Sequence, residues 1–452
     1  MDSDRSSSKA RVIVVGAGFG GLAAVKALSK APVDVLLVDQ HNFHLFTPLL
    51  YQVASSLLDP SQIAYPTRAL ARRLKNARFR LGTVRSIDLE KRLVVVEDEA
   101  LAYDYLILAA GSVNDYFGNE SFAASTFSLK GLDQALALRY HIMDQFERAS
   151  ATTDSEVRHR LMSFAIVGGG PTGVEYAGAL SELIHLVLRK DFPELDMNDA
   201  RIVLIDGQSL VLPEFLPSSQ KAAGHALTRK GVTLTLAAHV IDVDAAGVHL
   251  ADGRVIEAGT VVWTAGVRAA DLTRTLGLDL GKRGQVHVLP TLQVPGHPEV
   301  FAVGDLAAVQ SDRKPLPMVS PVAIQEGDLA ARNLIAMMDG RPLSPFRYRN
   351  RGIMATIGRN QAVAELGPFQ FTGFVAWLVW LFVHLALLIG FRNRIMALLS
   401  WGIDYFFYDR PVRLITMAPP PVPRDRAETD VHPSIPQTVA QHPQHVGSPG
   451  PH

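Results

Sequence analysis

The stretch that most constrains this chain is residues 11–39, RVIVVGAGFGGLAAVKALSKAPVDVLLVD. An apolar run leads into GAGFGG, a segment rich in small residues follows, and a second apolar run ends on Asp39. This order of strand, glycine turn, helix and strand, with an acid 21 residues after Gly18, is typical of a dinucleotide-binding unit. Gly16 permits the tight turn, Gly18 lets a pyrophosphate approach the backbone, and Gly21 lets the helix pack closely on the strand. The stretch therefore predicts a nucleotide site at a helix N-terminus, with Asp39 bound to a ribose.

The same pattern occurs a second time. Gly168, Gly170 and Gly173 repeat the glycine spacing, starting 152 residues after Gly16, and a later apolar strand ends on Asp206. Two such units in one chain indicate a flavin and a nicotinamide nucleotide held face to face. A carboxylate at Asp206 would repel a 2′-phosphate, so the sequence predicts NADH rather than NADPH as the donor.

Three further segments are predicted to contact the flavin. The strand over 103–111 ends in Ala110 and Gly111, small residues that let the backbone come close to a cofactor. A later apolar strand ends in Gly-Asp, and we interpret Asp305 as a ligand of the ribityl chain rather than as part of an ordinary strand turn. Gln325 lies early in a helix whose start would abut the flavin ring.

Glu175 is the candidate acid of the second unit, and we expect it in the first turn of the helix that follows the glycines. Two interpretations remain open at this point. The carboxyl group positions the nicotinamide or relays a proton, or it is an acid that the positive end of the helix dipole stabilises.

Composition excludes several classes of function. Lys and Arg number 44, as do Asp and Glu, so no overall field favours nucleic acid as a partner. The chain has no cysteine, which removes thiolate metal sites, iron–sulfur clusters and redox chemistry through a protein thiol, and we predict no metal site. The polar N-terminus does not resemble a signal peptide, so we expect the nucleotide sites to face the cytoplasm.

The C-terminal part is strongly apolar: residues 366–391 contain no Asp, Glu, Lys or Arg. Three interpretations compete, namely a single transmembrane span at about 374–391, an anchor lying in the membrane plane, and a helix buried in the core or at a dimer interface. Trp377, Trp380 and His384 recur at helical spacing, and we interpret this indole–imidazole stripe as interfacial, which favours the in-plane, monotopic anchor. Only His384 is ionisable within the run, so we predict no ion pumping.

These observations predict an α/β fold with two Rossmann-like dinucleotide-binding domains, for FAD and NADH, and a C-terminal helical membrane-anchoring segment. The expected boundaries are a disordered N-terminus at 1–9, the FAD-binding domain in two parts at 10–117 and 269–345, the NADH-binding domain at 118–268, the membrane-anchoring region at 346–417 and a disordered Pro/His-rich tail at 418–452.

Several motifs together resemble one known family. They are GAGFGGL, HNFHLFTPLLYQVA, GGGPTGVEYAGAL, VVWTAGV, VFAVGDLA, SPVAIQEG and the C-terminal block with AWLVWLFVHL and GFRNR. Over nearly all of residues 11–415 the chain resembles the type II NADH dehydrogenases, the non-pumping NADH:quinone oxidoreductases. The resemblance implies non-covalent FAD, NADH as donor and a membrane quinone (menaquinone or ubiquinone) as acceptor. It also implies a homodimer bound to the bilayer surface at the cytoplasmic face of the cell membrane.

Residue by residue, the resemblance assigns two sets of cofactor ligands. The FAD set is Gly16, Gly18, Gly21, Asp39, Thr47, Ala110, Gly111 and Asp305. The NADH set is Gly168, Gly170, Gly173 and Asp206. Glu175 falls near the nicotinamide, and Gln325 corresponds to a glutamine at the quinone–flavin interface. Many members have Ala-Gln where this chain has Ser320-Pro321, so a glutamine that often lines the quinone tunnel is absent here.

Two alternative functions stay open from the sequence. One is a related FAD/NAD(P)H reductase acting on a biosynthetic quinone or carotenoid-type acceptor, which differs only in the acceptor. The other is a non-catalytic, NADH-sensing flavoprotein that acts through protein contacts. Disulfide reductases and sulfide:quinone oxidoreductases need reactive cysteines, and the chain has none.

Overall fold

The computed structural model describes residues 9–311, 314–410 and 413–416. The two segments expected to be disordered, 1–9 and 418–452, lie outside this part of the chain apart from residue 9.

The strands up to the first inter-domain link are β1 Ala10–Val15, β2 Val33–Asp39, β3 Phe43–Leu45, β4 Ala64–Pro66, β5 Ala77–Leu81, β6 Val84–Asp88, β7 Leu93–Val96, β8 Glu99–Ala102, β9 Tyr105–Leu108 and β10 Ser112–Asn114. The strands of the middle part are β11 Phe127–Ser128, β12 Ser163–Val167, β13 Arg201–Ile205, β14 Val232–Thr235, β15 Val240–Asp244, β16 Gly247–Leu250, β17 Val255–Glu257, β18 Thr260–Trp263 and β19 Val267–Ala269. The remaining strands are β20 Val286–His287, β21 Gln293–Val294, β22 His297–Ala302, β23 Ala307–Ala308, β24 Gln310–Ser311, β25 Lys314–Pro315, β26 Ile353–Thr356, β27 Ala362–Leu366 and β28 Phe369–Thr372.

The helices are α1 Phe19–Ala27, α2 Leu50–Ala54, α3 Pro60–Ile63, α4 Thr67–Ala71, α5 Phe122–Ser125, α6 Leu132–Ala151, α7 Ser155–Leu161, α8 Pro171–Glu182, α9 Arg189–Asp191, α10 Pro217–Arg229, α11 Ser320–Met338, α12 Gly373–Leu387 and α13 Phe391–Phe407. A π-helical segment, Leu183–Leu188, joins α8 to α9.

Two sheets form the centre of the fold. The first has the order β21-β22-β9-β1-β2-β5 and the second the order β11-β18-β12-β13-β14, with parallel pairing throughout except at β21. The last four residues of β1 and all five of β12 are buried, as expected for central parallel strands covered on both faces. The predicted α/β class with two dinucleotide-binding units is confirmed.

A short two-stranded ribbon links the two units. β10 continues from the end of β9 and β19 from the end of β18, and the two pair antiparallel from Ser112 opposite Ala269 to Asn114 opposite Val267. Because parallel strands present their carboxyl ends at the same edge, this ribbon brings the ligand-binding edges of both sheets close together.

Helix α11 lies against α1 because both helices have a glycine at the contact. A Cβ atom on Gly327 would overlap the carbonyl group of Gly20, so only glycine allows this approach. The N-terminal end of α11, with Gln325 in its second turn, is thereby held beside the first glycine turn.

The C-terminal unit consists of the antiparallel sheet β26-β27-β28 followed by the helices α12 and α13. Gly390 between the helices has φ +93°, a left-handed conformation that favours glycine and reverses the chain. Thirteen large apolar side chains project into solvent from this pair: Phe374, Val375, Leu378, Phe382 and Leu387 of α12, and Phe391, Ile395, Met396, Leu398, Leu399, Ile403, Phe406 and Phe407 of α13. We call this surface the apolar hairpin face.

The structure corrects two expectations about this region. Among the described residues, none of the helices combines the length and the apolar character that a membrane crossing requires, so the transmembrane span at 374–391 is wrong. The stripe expected to face the interface instead points inward, because Trp380 and His384 are buried and only Trp377 is partly exposed. The solvent-facing side of α12 is the aliphatic and phenylalanine side, since the indole and imidazole rings pack against the rest of the protein.

Candidate active site

The first glycine turn follows β1, and its three glycines have different surroundings. Gly16 has φ +103°, and a Cβ atom there would overlap the carbonyl oxygen of Ala109. A Cβ atom on Gly21 would overlap the carbonyl oxygen of Gly16, whereas one on Gly18 would meet nothing within 4 Å. Two of the glycines are thus required by packing, and the third leaves open space at the start of α1, where a pyrophosphate fits.

The second glycine turn, after β12, repeats this geometry. Gly168 has φ +116°, and a Cβ atom there would lie 2.7 Å from the amide nitrogen of Ala265. A Cβ atom on Gly173 would overlap the Gly168 carbonyl oxygen and lie 2.8 Å from the hydroxyl oxygen of Thr264, whereas one on Gly170 would again meet nothing within 4 Å. The two turns therefore have equivalent geometry, each with open space at its middle glycine.

The acids at the ends of β2 and β13 also make equivalent hydrogen bonds. Asp39 accepts hydrogen bonds from the backbone N–H groups of Ala17, at 2.6 Å, and of His41, at 2.7 Å. Asp206 accepts from the N–H of Gly169 and, at 2.7 Å, from that of Gln208. Each carboxylate holds its glycine turn against the next strand, and its remaining lone pairs are available to ribose hydroxyl groups.

The carboxyl ends of β9 and β22 bring together the other flavin-site residues predicted from the sequence. The two strands are neighbours, with Leu108 opposite Ala302. Gly111, directly after Ala110, has φ +71° and open space at its Cβ position. Asp305 lies in the turn after β22, where its carboxylate accepts a hydrogen bond from the hydroxyl of Ser112.

Two charged residues near Asp305 were missed by the sequence analysis as site residues. The ammonium group of Lys130 lies 3.6 Å from the Asp305 carboxylate. Glu326 is almost completely buried and accepts a hydrogen bond from the N–H of Gly304 at 2.6 Å, and burial raises the pKa of its carboxyl group to about 8. The position of Glu326 directly after Gln325, early in the helix expected to abut the flavin, was the signal for it, whereas nothing in the sequence indicated that Lys130 lies near Asp305.

Gln325 is held by backbone groups on both sides. Its amide nitrogen donates to the carbonyl oxygens of Pro321 and Arg349, each at 3.1 Å, and its amide oxygen accepts from the N–H of Arg349 at 3.0 Å. The side chain therefore fastens the start of α11 to the segment that leads into the C-terminal unit.

Thr47 begins a short 3₁₀ turn directly after Phe46. The ring of Phe46 lies edge-on to the imidazole of His384 at 6.2 Å between centroids, and that imidazole stacks on Trp380 at 4.0 Å. Burial lowers the pKa of His384 to about 4, and its Nδ1–H donates to the Trp380 carbonyl oxygen at 2.8 Å. The inward stripe of α12 thus reaches the loop that carries Thr47.

Glu175 occupies a different place from the one expected. It is the fifth residue of α8, beyond the first turn, so the interpretation that the helix dipole stabilises it in that turn is wrong. The carboxyl group is buried against β26, where it accepts a hydrogen bond from the N–H of Thr356 at 3.3 Å, and burial raises its pKa to about 8. Thr356 and Trp380 also line a cavity of about 50 Å³, together with Tyr51. At neutral pH the carboxyl group is mostly protonated and can donate a proton.

A buried arginine, not anticipated from the sequence, connects the C-terminal unit to the two nucleotide units. Arg410 lies 3.0 Å from the carboxylate of Asp404 and 3.5 Å from that of Glu182, the last residue of α8. It also donates to the carbonyl oxygen of Ser55 at 2.9 Å, while Lys230 pairs with Glu182 at 2.6 Å. One guanidinium group therefore bridges α8, α13 and the turn after α2.

Comparison with known proteins agrees with this architecture. Residues 10–327 match the model of the pyridine nucleotide-disulphide oxidoreductases, and residues 350–409 match that of the NDH2 C-terminal domain. The chain has no cysteine, so the disulphide chemistry in the first family's name has no counterpart in it.

Individual relatives cover most of the chain. A type II NADH:quinone oxidoreductase of Mycobacterium tuberculosis is 42% identical over 421 residues, which make up 90% of this chain and 90% of the relative. A second one from the same organism is 41% identical over 90% of this chain and 89% of its own length. The solved structure of NDH2 from Plasmodium falciparum in complex with NADH matches with a TM-score of 0.82 at 20% identity, covering 89% of this chain and 99% of that one. By its matched domains and by this identity over nine-tenths of its length, the chain belongs to the type II NADH:quinone oxidoreductase family.

Proposed function

We propose that this protein oxidises NADH and reduces a membrane quinone by two electrons, through non-covalent FAD and without ion pumping. The observation that carries the proposal is the pair of equivalent phosphate cradles in one chain. Each has open space at its middle glycine, Gly18 or Gly170, and the ribbon of β10 and β19 links their sheets. The arrangement supports one nucleotide in each unit, with the reactive rings meeting between them.

The first unit fits FAD. The space over Gly18 accommodates a pyrophosphate, Asp39 can accept from a ribose, and the open backbone at Gly111 allows close approach of a ring system. Asp305, with its carboxylate only partly buried, can accept from ribityl hydroxyl groups. Bound FAD would supply the chemistry that accepts a hydride and passes electrons on, and the chain contributes orientation and exclusion of water.

The second unit fits NADH, with Gly168, Gly170, Gly173 and Asp206 as its ligands. Glu175 lies on the side of α8 that faces the C-terminal unit, where its mostly protonated carboxyl group can supply one of the protons that a quinone takes up on reduction. Gln325 lies where α11 meets the C-terminal unit and has a role at the quinone end of the site. We propose the domain boundaries expected from the sequence, with the FAD-binding domain at 10–117 and 269–345 and the NADH-binding domain at 118–268.

Steady-state kinetics of the purified, FAD-loaded protein test the function directly. NADH oxidation that depends on added menaquinone or ubiquinone analogues is the expected result, with NADPH a poorer donor. Tight NADH binding with no quinone-dependent turnover would reject the enzyme and favour the sensing role.

Replacing Gln325 by Ala should lower quinone reduction by about ten-fold while ferricyanide reduction stays near the wild-type rate. The physical reason is that the amide positions α11 against the segment around Arg349, where we place the quinone ring. Asn350→Ala is the control, because it removes a hydrogen bond to the Gly352 N–H within the segment but keeps the contact with Gln325, and it should reduce quinone reduction less. Equal losses with both acceptors would contradict a role at the quinone site.

The charge of Asp206 should decide between NADH and NADPH. We expect Asp206→Asn, which keeps one acceptor oxygen for the loop N–H groups, to raise kcat/KM for NADPH relative to NADH by about ten-fold, because the repulsion of a 2′-phosphate is removed. The matched control is Asp39→Asn, the same change at the equivalent position of the other unit. A preference that Asp206→Asn leaves unchanged would contradict the ribose role.

We also propose that the protein attaches to the cytoplasmic face of the cell membrane through the apolar hairpin face. We propose further that it forms a homodimer. The face joins two helices too short to cross a bilayer, and both carry their exposed apolar residues on consecutive turns. This arrangement is typical of helices that lie in the membrane plane.

The double variant Leu378→Ser and Phe382→Ser should leave the membrane fraction. Moving one large apolar side chain from water into lipid contributes about 1.5–3 kcal/mol, so losing two lowers partition onto vesicles by at least about a hundred-fold. Ile241→Ser removes an equally exposed apolar side chain from β15 and serves as the control. If both proteins sediment with vesicles as the wild type does, the anchor lies elsewhere.

A further inference from the structure

One cavity in the described part of the chain has no role in the chemistry above. It encloses about 500 Å³ between α10 of the NADH-binding unit and the strand and helix ends of the C-terminal unit. Its apolar floor includes Ala226, Ile357 and Val363, all buried, and Gly373, the first residue of α12, closes one side. A site of this size accommodates a molecule much larger than water.

The basic residues at this cavity lie on the helix α10. Lys221, His225 and Arg229 recur at every fourth residue of it, so they lie on one face and form an exposed basic stripe. His225 and Arg229 line the cavity itself, and none of its eleven lining residues is acidic. In the described part of the chain no ion pair involves any residue of the stripe. The opening is therefore positive, although the whole chain has no net charge.

The apolar hairpin face begins beside this cavity. Phe374, its first member, directly follows Gly373 and is half exposed, and the outward-facing Val375 comes next. An occupant can thus place an anionic group against Arg229 and an apolar part along α12. A free anion would use the charge but leave the adjoining apolar hairpin face uncovered, whereas an anionic glycerophospholipid matches both.

We propose that this cavity is a binding site for the headgroup of an anionic phospholipid, with the acyl chains lying against the apolar hairpin face. The basic stripe then contacts the anionic surface of the bilayer, since lysine and arginine near such a surface are attracted to it. The site would also fix how the protein is rotated on the membrane, because the stripe and the hairpin lie on different elements. The proposal rests on the membrane attachment proposed above.

Flotation of the full-length, FAD-loaded protein tests the site, with phosphatidylcholine vesicles that contain or lack phosphatidylglycerol. We expect the wild type to bind phosphatidylglycerol vesicles more tightly. Arg229→Gln should reduce that preference by about five-fold, the effect of one cation near an anionic membrane surface. Ala222→Phe, which fills the cavity without changing charge, should reduce it as well. Arg78→Gln, which removes an exposed arginine from the edge strand β5, should not.

Each remaining outcome has one meaning. Equal binding of the wild type to both kinds of vesicle rejects the headgroup site but leaves membrane attachment intact, whereas no binding to either rejects the attachment itself. Unchanged preference in Ala222→Phe shows that the cavity is not the site. Inorganic phosphate, added at constant ionic strength, serves as a competitor for the site. If it abolishes the preference for phosphatidylglycerol while binding to neutral vesicles is retained, the result supports a phosphate-binding site. A changed oligomeric state of Arg229→Gln with unchanged lipid preference overturns the proposal in favour of a second copy as the occupant.

Discussion

Gly173→Ala is expected to lower kcat/KM for NADH by about a hundred-fold, whereas Gly170→Ala leaves the folded structure of the unit intact. The added Cβ atom of Gly173→Ala overlaps the carbonyl oxygen of Gly168 and lies 2.8 Å from the hydroxyl oxygen of Thr264. Both neighbours belong to the rigid ends of central strands, so α8 must move outward from the sheet. A displacement of about 1 Å in a group that positions the substrate is enough for a loss of this size.

The pair of variants separates folding from binding. Gly170 has an ordinary φ of −71° and open space at its Cβ position, so alanine there is tolerated by the fold and only intrudes on the pyrophosphate. NADH titration followed by flavin fluorescence, together with circular dichroism, distinguishes the two cases. FAD content should stay unchanged in both, because the first cradle is separate. Normal NADH affinity in Gly173→Ala would show that α8 does not need its close approach to the turn.

Arg410→Met should reduce the free energy of unfolding by about 3–5 kcal/mol, the usual effect of removing one partner from a buried ion pair. The guanidinium group is almost fully buried, and the variant leaves the half-buried carboxylate of Asp404 without its ion pair, while Glu182 keeps only its pair with Lys230. Loss of the hydrogen bond to the Ser55 carbonyl oxygen adds an unpaired backbone acceptor.

Arg413→Met is the matched control. Its side chain is about a quarter exposed and pairs with Asp191 at 2.8 Å and Asp409 at 3.1 Å, so we expect a loss of under about 1 kcal/mol. Denaturant unfolding followed by tryptophan fluorescence measures both, since Trp380 and Trp401 lie in the affected region. Limited proteolysis should cut Arg410→Met first near α13. Equal stability of the two variants would show that Arg410 is not the residue that fastens the C-terminal unit.

The glycine turns could be predicted residue by residue because their requirements are local. A left-handed φ, an overlap with the next carbonyl group and an open cradle all arise within a few residues of the turn, and the spacing records them. Glu175 shows the limit of prediction from local sequence. The family resemblance places it near the nicotinamide, but nothing in the sequence indicated that its neighbours include Thr356 and Trp380, which lie some 180 and 200 residues later.

The same limit applies to α12. Its composition alone indicated a membrane-facing helix, yet which side faces the protein depends on where Phe46 and Tyr51 lie, and these come from the first unit. Aromatic residues at helical spacing are equally compatible with an interface and with a core. Only the packing of α12 on the rest of the protein buries Trp380 and His384 and leaves the phenylalanines outside.

By itself, therefore, the sequence determined that this chain folds around two dinucleotide cradles and has an apolar helical region after them. Both features follow from short-range spacing and composition. The tertiary structure alone decided which residues meet between those parts: Arg410 with Glu182, Gln325 with Arg349, and Arg229 with the first residue of α12 at one cavity. Such contacts join residues far apart in the chain. They depend on how whole elements pack, and no local pattern specifies that packing.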